Sequence, residues 1–473
     1  MQLIVLLVLS LACYSVAWPA PLVGPADVEW VLWVTAGVVG AFVAISWLIG
    51  WRTQRALRHP FAARKRIFRR YHRARLLYLL TCLAVYVGLL YLVGWGWAVQ
   101  LLLADGVPAQ MPVASELLLL APYLLTWMAP WFTNYSAERA LHDSPQVPFG
   151  SLGTHIASLL RQNAIVLFLP LGLLIARQNL LRLYPELETS PVFRAAQVGV
   201  FVLLAIFMPL LLRFTLRLTP LPAGPVRARL ATVAQRLRFW SSDILVWDTR
   251  GQVANALIAG LLPWPRYVVF TDRLLAELTP EEVETVYGHE IGHIRCWHMP
   301  LYMIALTLSM MAFIVVWVAI EEYWFGVYPD LEVSLKAYES YYLAVPQVVM
   351  AIYVFILFGA LSRRCERQAD LVGCRTATDT RSAENVYTFM HALNKVCTVN
   401  GIDMLRPGFL QSWLHGTPMQ RLAFLERVAA NDTVAVQFER RLNWFKWGLC
   451  AVMLAIIVGV GHHIGWERVW ARL

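Results

Sequence analysis

The chain is 473 residues long, 59% hydrophobic and only 15% charged, against about 25% charged in an ordinary soluble domain. Its net charge of +10 would suggest nucleic acid in a soluble protein. Here much of the charge falls in one short segment, and repeated apolar stretches of about 20 residues place the chain in a bilayer instead.

In chain order, Leu3–Ala17 is apolar without a basic start and is either a first span or a poor signal peptide. Trp30–Trp51 is a span. The segment 52–75 holds ten Lys/Arg and no acid, so the positive-inside rule makes it a cytoplasmic loop. The alternative is a patch for nucleic acid or anionic lipid. Further spans are expected at Leu77–Leu103, Glu116–Phe132, Ala164–Leu180 and Val198–Leu216. Four crossings return the chain to the cytoplasm near Arg217. Residues 220–299 are more polar. Val226–Trp240 has helical periodicity, and DILVWDTR, VANALIAG and YVVFTD read as three short strands. Two spans, Pro300–Glu321 and Tyr342–Leu361, make a hairpin within 300–361. Its loop carries Glu321, Glu322, Asp330, Glu332 and Glu339 against Lys336 alone, which suits the outside. A second polar, helical stretch covers 362–446, and Trp447–Ile464 is a last span within 447–473. The seven Cys form no CxxC pair and no even ladder, so free thiols are expected.

Chemistry enters at LTPEEVETVYGHEIGH. Thr279 is an N-cap, Pro280 suits the first helical position, and Glu282 completes a capping box. On that helix His289 and His293 are four apart, so both imidazoles leave one face, as zinc requires of two ligands. Glu290 points elsewhere and reaches the water that zinc activates, as general base. The plain alternative is a pair of ordinary helix histidines. A catalytic zinc needs a third protein ligand and an open position. An HExxHxxGxxH site is excluded, because Cys296 and Met299 hold the Gly and His places. His298 is off by one and reads as an interfacial residue. Glu321 and Glu322 lie about 30 Å away across the hydrocarbon.

SRRCERQADLVG, directly after the second span, offers Glu366 as third ligand. Asp370, four residues on, can accept the second N–H of a ligand histidine. The alternative there is a solvated charged helix start. Because a hairpin returns to the side it left, His289, His293 and Glu366 share one membrane face, and the zinc helix can run straight into a span.

HEIGH, then ERQAD after a membrane hairpin, with NALIAG upstream, resembles the integral-membrane gluzincin family of type I CaaX prenyl proteases and HtpX-like heat-shock proteases. The motif order covers Val226 to Ala430. The resemblance implies that Asn255, Ala256, Leu257, Ile258, Ala259 and Gly260 form the edge strand that pairs with an extended substrate. It implies that His415 of HGTPMQR stabilises the oxyanion and that Arg421, six residues on, orders the acids around the zinc. The family has Pro after the His, where this chain inserts Gly416 and Thr417.

The fold expected is a mainly α, polytopic membrane protein of about eight or nine transmembrane helices. A small α+β metalloprotease domain is split around the hairpin, as 220–299 and 362–446, behind an N-terminal membrane region 1–219. The function expected is zinc-dependent endopeptidase, with one Zn²⁺ per chain, in membrane-protein quality control or processing. The alternative within the family is CaaX-type processing of prenylated proteins. The rival from another class is a non-proteolytic membrane protein with a structural zinc. Expected partners are a membrane-associated protein or peptide substrate and the lipid bilayer, with no nucleic acid. The expected location is the cell membrane, multi-pass, with the catalytic domain cytoplasmic.

Overall fold

The computed structural model describes residues 18, 20–59, 63–104, 113–142, 149–328, 330, 339–375, 383–405 and 409–467. Leu3–Ala17 and the hairpin loop at 331–338, with Glu332 and Lys336, lie outside them. The chain divides into two compact units, Met1–Leu204 with Leu211–Arg217, and Ala205–Leu210 with Leu218–Leu473. The fold is mainly helical with one small sheet. Among the described residues seven helices are long and apolar enough to cross a membrane: Val28–Leu57, Arg66–Val93, Leu152–Leu183, Pro191–Thr215, His298–Val327, Val348–Gly373 and Thr433–Ile464.

The first unit corrects the sequence reading in two places. Most of the basic segment 52–75 is not a loop. Arg52 and Arg55 belong to the Val28–Leu57 helix, and Arg64 to Arg75 open the next, Arg64–Gly88. Charged residues continue a helix freely once it leaves the lipid, so charge marks the membrane edge and not the helix end. The span expected at Leu77–Leu103 stops early. A π-turn at Leu89–Val93 leads to Gly94 in the left-handed region, and a separate helix, Trp95–Ala104, follows.

Glu116–Phe132 is a helix, Ala114–Thr133, but not one of the seven apolar spans. It holds Glu116 and two prolines. The unit's core forms around it: Leu119, Leu120, Tyr123, Trp127 and Trp131 pack with Phe42, Tyr78, Tyr86, Trp95 and Leu171. A helix covered by neighbours can carry polar groups that find partners. Glu116, 2% exposed, pairs with Arg182 at 2.7 Å. Tyr78 donates to the Thr126 carbonyl, and the Tyr86 hydroxyl and Trp95 indole donate to that of Leu119.

The second unit contains a four-stranded sheet in the order β1 (Thr219–Pro220), β2 (Asp243–Trp247), β4 (Tyr267–Thr271), β3 (Ala256–Ala259). The three strands read from sequence are β2, β3 and β4. β2 and β4 run parallel, and β4, paired on both sides, is buried at every residue. β3 pairs antiparallel with β4 only and ends the sheet. Helices Pro225–Arg236 and Pro280–Arg295 cover the sheet through Leu230, Val233, Tyr287 and Ile291, which meet Ile244, Val268 and Phe270.

Three helix limits differ from expectation. The Pro280–Arg295 helix does not run into the span. Trp297, at φ 57°, breaks the chain before the His298–Val327 helix begins. The second arm of the hairpin does the opposite: one 35-residue helix, Glu339–Gly373, carries both Tyr342–Leu361 and the ERQAD motif. The final helix starts at Thr433 and not at Trp447.

Candidate active site

The predicted capping box is present: Thr279 Oγ1 accepts from the Glu282 N–H, and Glu282 Oε2 accepts from the Thr279 N–H at 2.8 Å. It starts the helix that displays His289, Glu290 and His293. The Glu339–Gly373 helix packs against it at very short range. A Cβ on Gly292 would lie 3.0 Å from Ala369 Cα, so a larger residue in HEIGH would push the two helices apart.

That approach brings His289, His293 and Glu366 together, one donor atom from each lying within 4.8 Å of the others. Both histidines turn Nε2 toward the cluster. The two Nε2 atoms are 3.3 Å apart, and they lie 3.7 Å and 3.6 Å from the Glu366 oxygens. Two imidazoles and a carboxylate with a remaining open position are the donors of a catalytic zinc. The opposite nitrogen of His289 supports the fit, because its Nδ1 lies 2.9 Å from Asp370 Oδ1. A carboxylate there orients the ring and raises ligand basicity.

Asp370 is fully buried. Arg421 holds it bidentately at 2.9 and 2.5 Å and lies 3.4 Å from Glu366 Oε2. Burial would lower the Arg421 pKa, but the carboxylates of Asp370 and Glu366 outweigh that and raise it. His415 Nδ1 is 3.1 Å from Glu366 Oε1, with the ring half exposed. The Gly416–Thr417 insertion has a local reason. Gly416 takes φ 75° at the end of the Phe409–His415 helix, and Thr417 caps the helix that begins at Pro418.

Burial pushes the Glu290 carboxyl up to about 7; His289 and other cationic neighbours oppose the rise, and Glu366 adds to it. A bound dication would draw it down again. Burial, with His289 beside it, lowers His293 to about 3, which keeps the imidazole in the neutral, ligating form.

The edge strand is fixed at both ends. The Asn400 amide pairs with both backbone groups of Ala254, at 2.9 and 2.7 Å, just before β3. At the other end buried Arg266 donates to the carbonyls of Gly260, Leu261 and Trp240. Neither residue was singled out in the sequence, because each acts on a backbone far along the chain or across a loop. His298 is not the interfacial residue that its spacing suggests. It is fully buried and contacts His293 and Gln368, not the interface. Its place five residues after His293 was visible, but its partner is 70 residues away.

Residues 220–429 match Peptidase family M48. Over 198 residues the chain is 26% identical to a CAAX prenyl protease 1 homolog of Arabidopsis thaliana, covering 38% of this chain and 44% of that one. Over 130 residues it is 33% identical to Protease HtpX homolog 2 of Methanosarcina acetivorans, covering 27% and 42%. The matched segments span less than half of these relatives' lengths. The crystal structure of S. mikatae Ste24p superposes with a TM-score of 0.51 at 17% identity, covering 84% of this chain and 99% of that one. The resemblance read from HEIGH and ERQAD therefore holds: residues 220–429 carry the peptidase family M48 pattern, on a polytopic helical fold like that of Ste24p.

Proposed function

We propose that this protein is a membrane-embedded, zinc-dependent endopeptidase that cleaves membrane or membrane-associated proteins in quality control or processing. The observation that carries the reading is the meeting of His289, His293 and Glu366 beside a partly buried Glu290. The three would hold one zinc per chain. Zinc, when bound, supplies Lewis-acid polarisation of a carbonyl and of water. The chain's own groups do the rest. The backbone of Asn255–Gly260 pairs with an extended substrate, reading main chain more than side chains. Glu290 takes a proton from the attacking water on a carboxylate oxygen and delivers it to the leaving amine. Asp370 holds the His289 Nδ1–H, and Arg421 keeps Asp370 and Glu366 ionised. His415 donates toward the oxygen that gains charge, a role worth about 3 kcal/mol where a donor is well placed.

Relatives named CAAX prenyl protease 1 favour a second reading, processing of prenylated CaaX proteins. The structural-zinc rival needs a fourth protein ligand; among the described residues the cluster has three donor residues. A cytoplasmic catalytic domain requires Ala114–Thr133 to cross as the fourth span between the basic segment and Arg217. Its 20 residues reach about 30 Å, enough for the hydrocarbon.

The test pairs two variants in purified full-length protein. Glu290→Gln should retain zinc and lose about 10²–10⁴-fold in peptide cleavage. Glu366→Ala should lose the zinc. Parental cleavage by Glu290→Gln would sink the mechanism, and parental zinc in Glu366→Ala would sink the ligand set.

A further inference from the structure

His298 is fully buried, and nothing in the proposed chemistry uses it. Its Nδ1 lies 3.1 Å from His293 Nδ1, and its Nε2 lies 3.0 Å from Gln368 Oε1. Lys446, from the Thr433–Ile464 helix, donates to the same Gln368 oxygen at 2.7 Å. With both imidazoles neutral, proton counting along this line leaves one arrangement. An ammonium has donors only, so the Gln368 group that faces it is the carbonyl oxygen and not the amide nitrogen. That oxygen can only accept, so His298 carries a proton on Nε2. A bare Nδ1 then faces His293, which answers with its own Nδ1–H. The His293 Nε2 lone pair is left free, and Nε2 is the atom turned toward His289 and Glu366.

We propose that His298, set by Gln368 and Lys446, is a positioning residue that holds His293 in the one neutral tautomer able to ligate a metal through Nε2. A neutral imidazole otherwise exchanges between two tautomers, and the wrong one aims an N–H at the cation. For His289 the Asp370 carboxylate, 2.9 Å from Nδ1, favours the tautomer with its proton on Nδ1. Among the described residues no carboxylate is paired with His293 Nδ1, and the buried neutral chain takes that place.

The proposal rests on reading the three donors as a zinc site, and the test separates the two. Full-length protein in detergent is titrated with zinc against a competing chelator. The cobalt-loaded form is examined by NMR for slowly exchanging, paramagnetically shifted imidazole N–H signals, one from each ligand histidine. His298→Leu should weaken zinc binding about 10–100-fold and lose one of the two signals. His298→Asn, whose side-chain oxygen can accept from His293 Nδ1–H, should restore both. Gln368→Met should follow the Leu variant, and Gln368→Glu, which keeps the acceptor, should follow the parent. Parental affinity with both signals in His298→Leu overturns the proposal, as does equal loss in the Leu and Asn variants. Should His298→Leu fail to fold, the Gln368 pair decides by the same readouts. A parent that binds no zinc fails the site reading instead.

Discussion

His289 and His293 stand one helical turn apart on one face, yet the groups behind them are opposite in kind. Behind His289 is a charged clamp, Asp370 locked to Arg421. Behind His293 is a chain that reaches a charge only at Lys446, three hydrogen bonds away. Burying a carboxylate demands a cation, and one guanidinium already serves two acids here. A second clamp of the same kind would need a second buried cation. The neutral chain avoids that need, but it works only if every proton along it is in the right place.

That contrast can be broken from either side. The largest effect should come from Arg421→Met, which leaves Asp370 and Glu366 buried without their cation. A loss of about 3–5 kcal/mol is expected, read as a lower thermal unfolding midpoint in detergent, together with loss of zinc. Next is Asp370→Asn, which keeps the shape and removes the charge. Zinc should bind about 10–100-fold more weakly, and in chelator titrations the effect should multiply with that of Gln368→Met, because the two arms share no residue. A product far from multiplicative would mean that the arms are one network. The smallest effect should come from Thr279→Ala, which removes the cap common to both histidines. About 1 kcal/mol of stability should go while zinc affinity stays at the parental value.

Much of the site was legible because it is local. Capping chemistry, the four-residue spacing of His289 and His293, and that of Glu366 and Asp370 all follow from helix geometry within one turn. The strands were legible from their β-branched alternation. What escaped reading depends on a distant partner or on the solvent. Glu116 passes for a residue of an ordinary span until Arg182 is seen beside it. The Glu339–Gly373 helix passes from lipid to protein without a break, and neither hydropathy nor charge reports continuity of backbone. His298 lies one residue from a known motif position, and only Gln368 reveals what it does.

The grip of Asn400 on one end of β3 and of Arg266 on the other has a consequence for which targets can be cut. Under the proposed function β3 is a short ruler pinned at each end, unable to curl around a coiled guest. A target must arrive already unravelled over a few residues, so the enzyme samples how readily a segment frays more than what it spells. Cleavage of one peptide sequence, held helical in one host and slack in another, is the measurement that checks this, and equal rates would count against it.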